Sequence, residues 1–84
     1  MDFSGCGLQG AAFDGADLRG ANFEGADLRG VSFRGARLSH ARFKGAQFGS
    51  LELSEGRRLA ANFAGASLEG VRLAELPVAM MMRA

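Results

Sequence analysis

Glycine returns in this chain on a five-residue beat, and that beat restricts the fold more than any other feature. Ten of the 13 glycines stand at positions divisible by five: Gly5, Gly10, Gly15, Gly20, Gly25, Gly30, Gly35, Gly45, Gly65 and Gly70. Two residues before each lies a large apolar side chain. Every fifth residue from Phe3 reads Phe3, Leu8, Phe13, Leu18, Phe23, Leu28, Phe33, Leu38, Phe43, Phe48 and Leu53; Arg58 interrupts, and Phe63, Leu68, Leu73 and Val78 resume in phase. All seven phenylalanines fall in this column. A second column, two places earlier, is small: Cys6, Ala11, Ala16, Ala21, Ala26, Val31, Ala36, Ala41 and Ala46, then Ala61, Ala66 and Val71. The unit is small–x–Phe/Leu–x–Gly, and internal repetition of this kind is read before anything else.

A period of five suits no straight element. On an α-helix, five steps of about 100° carry the side chain to a new face each time. On a flat strand, an odd period throws successive large residues to opposite sides. The pattern closes only if the chain turns once per pentad, always in the same sense. The small and large residues then point inward from each short side, and glycine takes the corner, where a missing Cβ permits positive φ. The sides wind into a solenoid around one continuous apolar column.

The pentads Ala16-Asp17-Leu18-Arg19-Gly20, Ala21-Asn22-Phe23-Glu24-Gly25 and Ala26-Asp27-Leu28-Arg29-Gly30 resemble the motif of the pentapeptide repeat proteins, Ala–Asp/Asn–Leu/Phe–x–x. The resemblance covers roughly residues 1–75. It implies an all-β solenoid, a right-handed quadrilateral β-helix with four pentads per coil, hence about four coils here; the apolar residues after Pro77 are expected to make 76–84 a short C-terminal cap or association segment. Alternation of Phe and Leu points independently to four sides. A twenty-residue coil stacks like on like (Phe3, Phe23, Phe43, Phe63), whereas a three-sided coil would set Phe3 on Leu18.

The rule loosens at 54–60. Arg58 falls in the large column, where an unpaired charge is very costly. A local bulge at Gly56, with Leu59 replacing Arg58 inside, is the expected solution. Cys6 is expected to be buried in the small column. His40, at a corner, is expected to be exposed, and neither residue has metal-ligand company.

Charge is nearly balanced, ten Lys+Arg against nine Asp+Glu, but segregated along the chain. Residues 1–30 carry Asp2, Asp14, Asp17, Glu24 and Asp27 against Arg19 and Arg29, a net of −3. Residues 31–60 carry Arg34, Arg37, Arg42, Lys44, Arg57 and Arg58 against Glu52 and Glu55, a net of +4. A twenty-residue coil places Arg34 over Asp14, Arg37 over Asp17 and Lys44 over Glu24, so cross-coil ladders are expected to absorb three of these cations. Arg34, Arg37, Arg42, Lys44 and Arg57 form the candidate interaction surface. Nucleic acid is not the expected partner, because inward phenylalanines leave nothing outside to stack on bases.

No nucleophile–base arrangement, carboxylate pair or phosphate loop is visible, so no enzymatic activity, metal or cofactor is expected. One cysteine excludes a disulfide framework. No apolar run is long enough to span a bilayer and no secretory leader is apparent, which places the expected site in the cytoplasm, away from membranes. The expected function is a non-catalytic scaffold that binds another protein or itself. The resemblance supplies a second reading: some pentapeptide repeat proteins mimic duplex DNA and inhibit or protect DNA gyrase. A third is a designed or excised segment with no function of its own. Self-association is expected as a homodimer through a solenoid end, because an uncovered end exposes apolar rungs and unpaired backbone. Leu76, Met80, Met81 and Met82 are the candidate residues, since family members dimerise through C-terminal segments.

Overall fold

The computed structural model describes residues 1–76. Parallel backbone pairs join Asp2 to Asn22, Gly7 to Asp27, Ala12 to Ser32, Asp17 to Arg37, Asn22 to Arg42 and Asp27 to Gln47, each twenty residues apart. Four pentads therefore complete one coil. The first face holds residues 1–5, 21–25 and 41–45, and the second 6–10, 26–30 and 46–50. The third holds 11–15, 31–35 and 61–65, and the fourth 16–20, 36–40 and 66–70.

Each corner is a four-residue turn. The Ala21 amide donates to Leu18 O at 3.0 Å, and Gly20 between them has φ 72°. A type II turn requires that sign at its third residue, which explains glycine there. The Asp/Asn position has a local role too. Asn22 Oδ1 accepts from the Glu24 amide at 2.9 Å, and Asn62 Oδ1 from the Ala64 amide at 2.9 Å. These Asx turns hold the backbone as it enters the corner.

In the central coils both inward columns are where the sequence puts them. Phe23, Phe33, Phe43, Leu28, Leu38 and Val31 are completely buried, as are Ala21, Ala26 and Ala36. Rings stack between coils, Phe3 on Phe23 at 5.0 Å and Phe23 on Phe43 at 5.2 Å, and meet edge-on across the column, Phe23 against Phe33 at 5.5 Å. Offset stacks and edge-to-face pairs are the favoured aromatic geometries.

The register changes once. Ser32 pairs with Asn62 and Arg37 with Ser67, thirty residues apart instead of twenty. The ten extra residues leave the solenoid as a hairpin, β1 (Leu51–Ser54) antiparallel to β2 (Arg57–Leu59). This overturns the expected bulge at 54–60. Leu59 does not enter the core but is 40% exposed, and Leu53, counted in the inward column, is 58% exposed. The physical reason is charge: the excursion keeps Glu52, Glu55, Arg57 and Arg58 in water, where burying even one would be costly. Its base is seated on the corner between the second and third faces. A Cβ added at Gly30 would lie 2.8 Å from Leu51 Cβ and 3.1 Å from Leu59 O, so only glycine fits there.

The excursion also corrects the expected stack. Phe63 lies on Phe33 at 5.3 Å, not beneath Phe43. Among the described residues the repeat completes three coils, the last ending at the Leu68–Val71 corner. Cys6 is exposed, against expectation: it stands in the first coil and has a neighbouring coil on one side only.

Candidate functional site

Outward positions are the second and fourth of each pentad, flanking the inward large residue. Arg42 and Lys44 flank Phe43 in this way on the first face, and Glu24 stands one coil above Lys44. Beside them is the corner between the fourth and first faces, which is occupied by His40. This histidine is the one non-glycine with positive φ among the described residues, at 63°. Its ring lies across Gly70 on the next coil, where a Cβ would collide with Nδ1 and Cε1.

Below Arg42 the chain abandons the ladder. In the coils above, the Phe3 amide donates to Asn22 O at 2.7 Å and the Phe23 amide to Arg42 O at 2.8 Å. The Phe43 amide instead donates to the Glu75 side chain, 3.1 Å from Oε1. A short 3₁₀ turn, Leu73–Glu75, brings that carboxylate into place, and the Glu75 amide donates to Arg72 O at 3.0 Å. The carboxylate thus substitutes for the carbonyl a further coil would supply, satisfying a donor that burial would otherwise strand. Leu76, next along, is 5% exposed and joins the core.

These departures open a groove of about 300 Å³ lined by Glu24, His40, Arg42, Lys44, Arg72 and Glu75, with Ala41 and Gly70 at its base. Arg42, Lys44, Arg72 and His40 are exposed, while Glu24 and Glu75 are half-buried. Sequence reasoning noted His40 and two of the cations but did not bring Arg72 and Glu75 to them. The available signal was a histidine in a glycine column.

Elsewhere the charges pair differently from the expected ladders. Among the described residues the ion pairs are Arg19–Asp17 and Arg29–Asp27, each 2.7 Å and each within one pentad. Asp17 does oppose Arg37 across coils, but its carboxylate turns to the nearer Arg19, two residues along the same side. Asp14 receives the Ser32 hydroxyl. The Arg19 side-chain hydrogen bonds, aided by its amide, hold Asp17 down to about 2, and Arg29 lowers Asp27 in the same way. Asp2 is lowered mainly by its hydrogen bonds to Ser4.

Of the candidate surface, Arg34 stands on the third face, Arg37 on the fourth, Arg42 and Lys44 on the first, and Arg57 on the hairpin. They encircle the solenoid, and only Arg42 and Lys44 share a groove. The acids of the first thirty residues are equally dispersed: Asp2 and Glu24 on the first face, Asp27 on the second, Asp14 on the third, Asp17 on the fourth. Of the candidate association end, Leu76 is buried in its own chain's core, so its side chain is not presented to another copy. Met80, Met81 and Met82 lie outside the described residues. Among the described residues no His/Cys/Asp/Glu cluster could hold a metal, and no helix is long and apolar enough to cross a membrane.

A family model described as pentapeptide repeats matches residues 2–35 and 16–53, in eight copies. Among solved structures, a pentapeptide repeat protein of the Arabidopsis thaliana thylakoid lumen is 36% identical. The match has a TM-score of 0.58 and covers 83% of this chain and 45% of that one. A pentapeptide repeat protein, Rfr23, of the cyanobacterium Cyanothece is 27% identical, with a TM-score of 0.54 over 84% of this chain and 38% of that one. The present chain spans less than half the length of either. No curated protein matches it.

Proposed function

The chain belongs to the pentapeptide repeat family, built as a right-handed β-helix, and on that footing we propose that it is a non-catalytic scaffold whose unpaired outward cations dock an acidic surface of another protein. One observation carries this reading. None of Arg34, Arg37, Arg42, Lys44 and Arg57 enters an ion pair among the described residues, while two acids of the first thirty residues are paired with arginines beside them. Pairing within pentads, in place of inter-coil ladders, therefore leaves these cations available to a partner. A protein suits this surface better than a nucleic acid, because every phenylalanine belongs to the inward column and none stands at an outward position of its pentad.

The test is retention of host proteins on the immobilised chain, compared with a variant carrying R34E, R37E, R42E, K44E and R57E together. Retention by the native chain should weaken as salt rises from about 0.1 to 0.5 M, as screening shortens the reach of exposed charges. The variant should lose it while its melting curve stays close to that of the native chain. Equal retention by both proteins would overturn the reading.

A further inference from the structure

We propose that the groove beside His40 is a receptor for a short acidic peptide segment, with Arg42, Lys44 and Arg72 receiving its carboxylates. The inference rests on the scaffold reading and narrows it to one site and one ligand chemistry. Three cations line a single groove, and among the described residues none is in an ion pair. Two acids, Glu24 and Glu75, face these three cations, and Glu75 also holds the Phe43 amide. The groove therefore has excess positive charge that the fold does not consume. Two arginines lining one groove suit carboxylates, which guanidinium groups can meet with paired hydrogen bonds.

The shape points the same way. A volume of about 300 Å³ is at the lower end for small-ligand clefts, roughly 300–1,000 Å³. It has room for a few side chains, not for a globular surface. Glu24 and Glu75 accept hydrogen bonds and would repel closely spaced phosphates, whereas a peptide brings amide donors along with its carboxylates. The mixed lining therefore favours an acidic peptide over a polyphosphate.

His40 supplies an independent argument. It holds a left-handed backbone conformation that glycine holds at the other turn corners of the described solenoid, and its ring forms the groove wall above Gly70. Such strain in a non-glycine residue is unfavourable and tends to mark functional positions. Replacement by glycine removes the strain and the wall together. H40G should therefore melt no lower than the native chain yet hold the ligand less well. A purely structural histidine would show the reverse.

The experiment is fluorescence anisotropy of labelled hexaglutamate with the native chain, R42E, R72E, H40G and, as a control on the third face, R34E. Inorganic polyphosphate of similar length serves as competitor. R42E and R72E should each weaken binding tenfold or more, H40G threefold or more, and R34E less than twofold. No binding by the native chain, an equal loss with R34E, or tighter binding of polyphosphate would each overturn the inference. The two proposals fail separately. If hexaglutamate does not bind but host-protein retention still depends on the five exterior cations, the groove assignment falls and the scaffold reading stands. If retention is also indifferent to them, both fall.

Discussion

Replacing Phe33 by alanine tests the core where it is most completely formed. The ring has no solvent exposure and is enclosed by four others: Phe13 at 5.5 Å and Phe63 at 5.3 Å along the stack, Phe23 at 5.5 Å and Phe43 at 6.2 Å edge-on. A backbone laddered to the coils on both sides cannot collapse into the space left behind. The loss should therefore lie within the usual range for a buried Phe→Ala, about 3–5 kcal/mol. A chain of this length has on the order of 4–13 kcal/mol in all, so the variant should be close to unfolding in buffer. Phe3 is the internal standard. It occupies the same inward column in the first coil, is half-buried, and has two ring neighbours, Phe13 at 5.7 Å and Phe23 at 5.0 Å. Phe3→Ala should cost roughly half as much, about 1.5–2.5 kcal/mol. Urea unfolding followed by circular dichroism measures both, with the outward Arg34→Ala, expected within about 0.5 kcal/mol, as control. Equal losses for Phe3 and Phe33, or a loss below about 1 kcal/mol for Phe33, would refute the argument that inter-coil enclosure sets the energy.

Three further outcomes follow from named features. Deleting residues 51–60, with Ser50→Gly to supply the corner torsion, should leave a folded solenoid; releasing a ten-residue loop returns about 2 kcal/mol of closure entropy against the partial burial of Leu51, and thermal melting checks it. Glu75→Ala should speed hydrogen exchange at the Phe43 amide and cost about 1–3 kcal/mol, while Glu75→Gln, which keeps the acceptor, should leave that amide protected. Asp17 titrates at about 2 in the folded chain against an ordinary 3.8. Its depressed pKa favours folding fully above the ordinary value, and the contribution is lost as pH falls through about 2. Carboxyl NMR of Arg19→Gln should show the midpoint moving back up towards 3.8.

Much of this molecule is written in one dimension because its core is nearly one-dimensional. The five-residue phase named the inward columns and the corners, since small, large and glycine positions each have a single place on a side that turns once per pentad. Alternation of Phe and Leu indicated four sides. That alternation has a period of ten, however, and the hairpin is ten residues long. Its insertion leaves every downstream residue in phase, so Phe63 reads equally well beneath Phe43 or Phe33, and only the fold places it on Phe33. The alternation of Leu51, Glu52 and Leu53, with a Glu55-Gly56 turn and Leu59 beyond, was a hairpin signal that the stronger repeat concealed. Charge partners were equally beyond the sequence: Asp17 has Arg19 two residues along and Arg37 one coil away, and the choice depends on distances that appear only when the side chains are placed. The groove depends on tertiary structure throughout. His40, Arg42, Arg72 and Glu75 lie as far as 35 residues apart in the chain. They meet because the ladder ends on a carboxylate and the chain turns at that point over its own core.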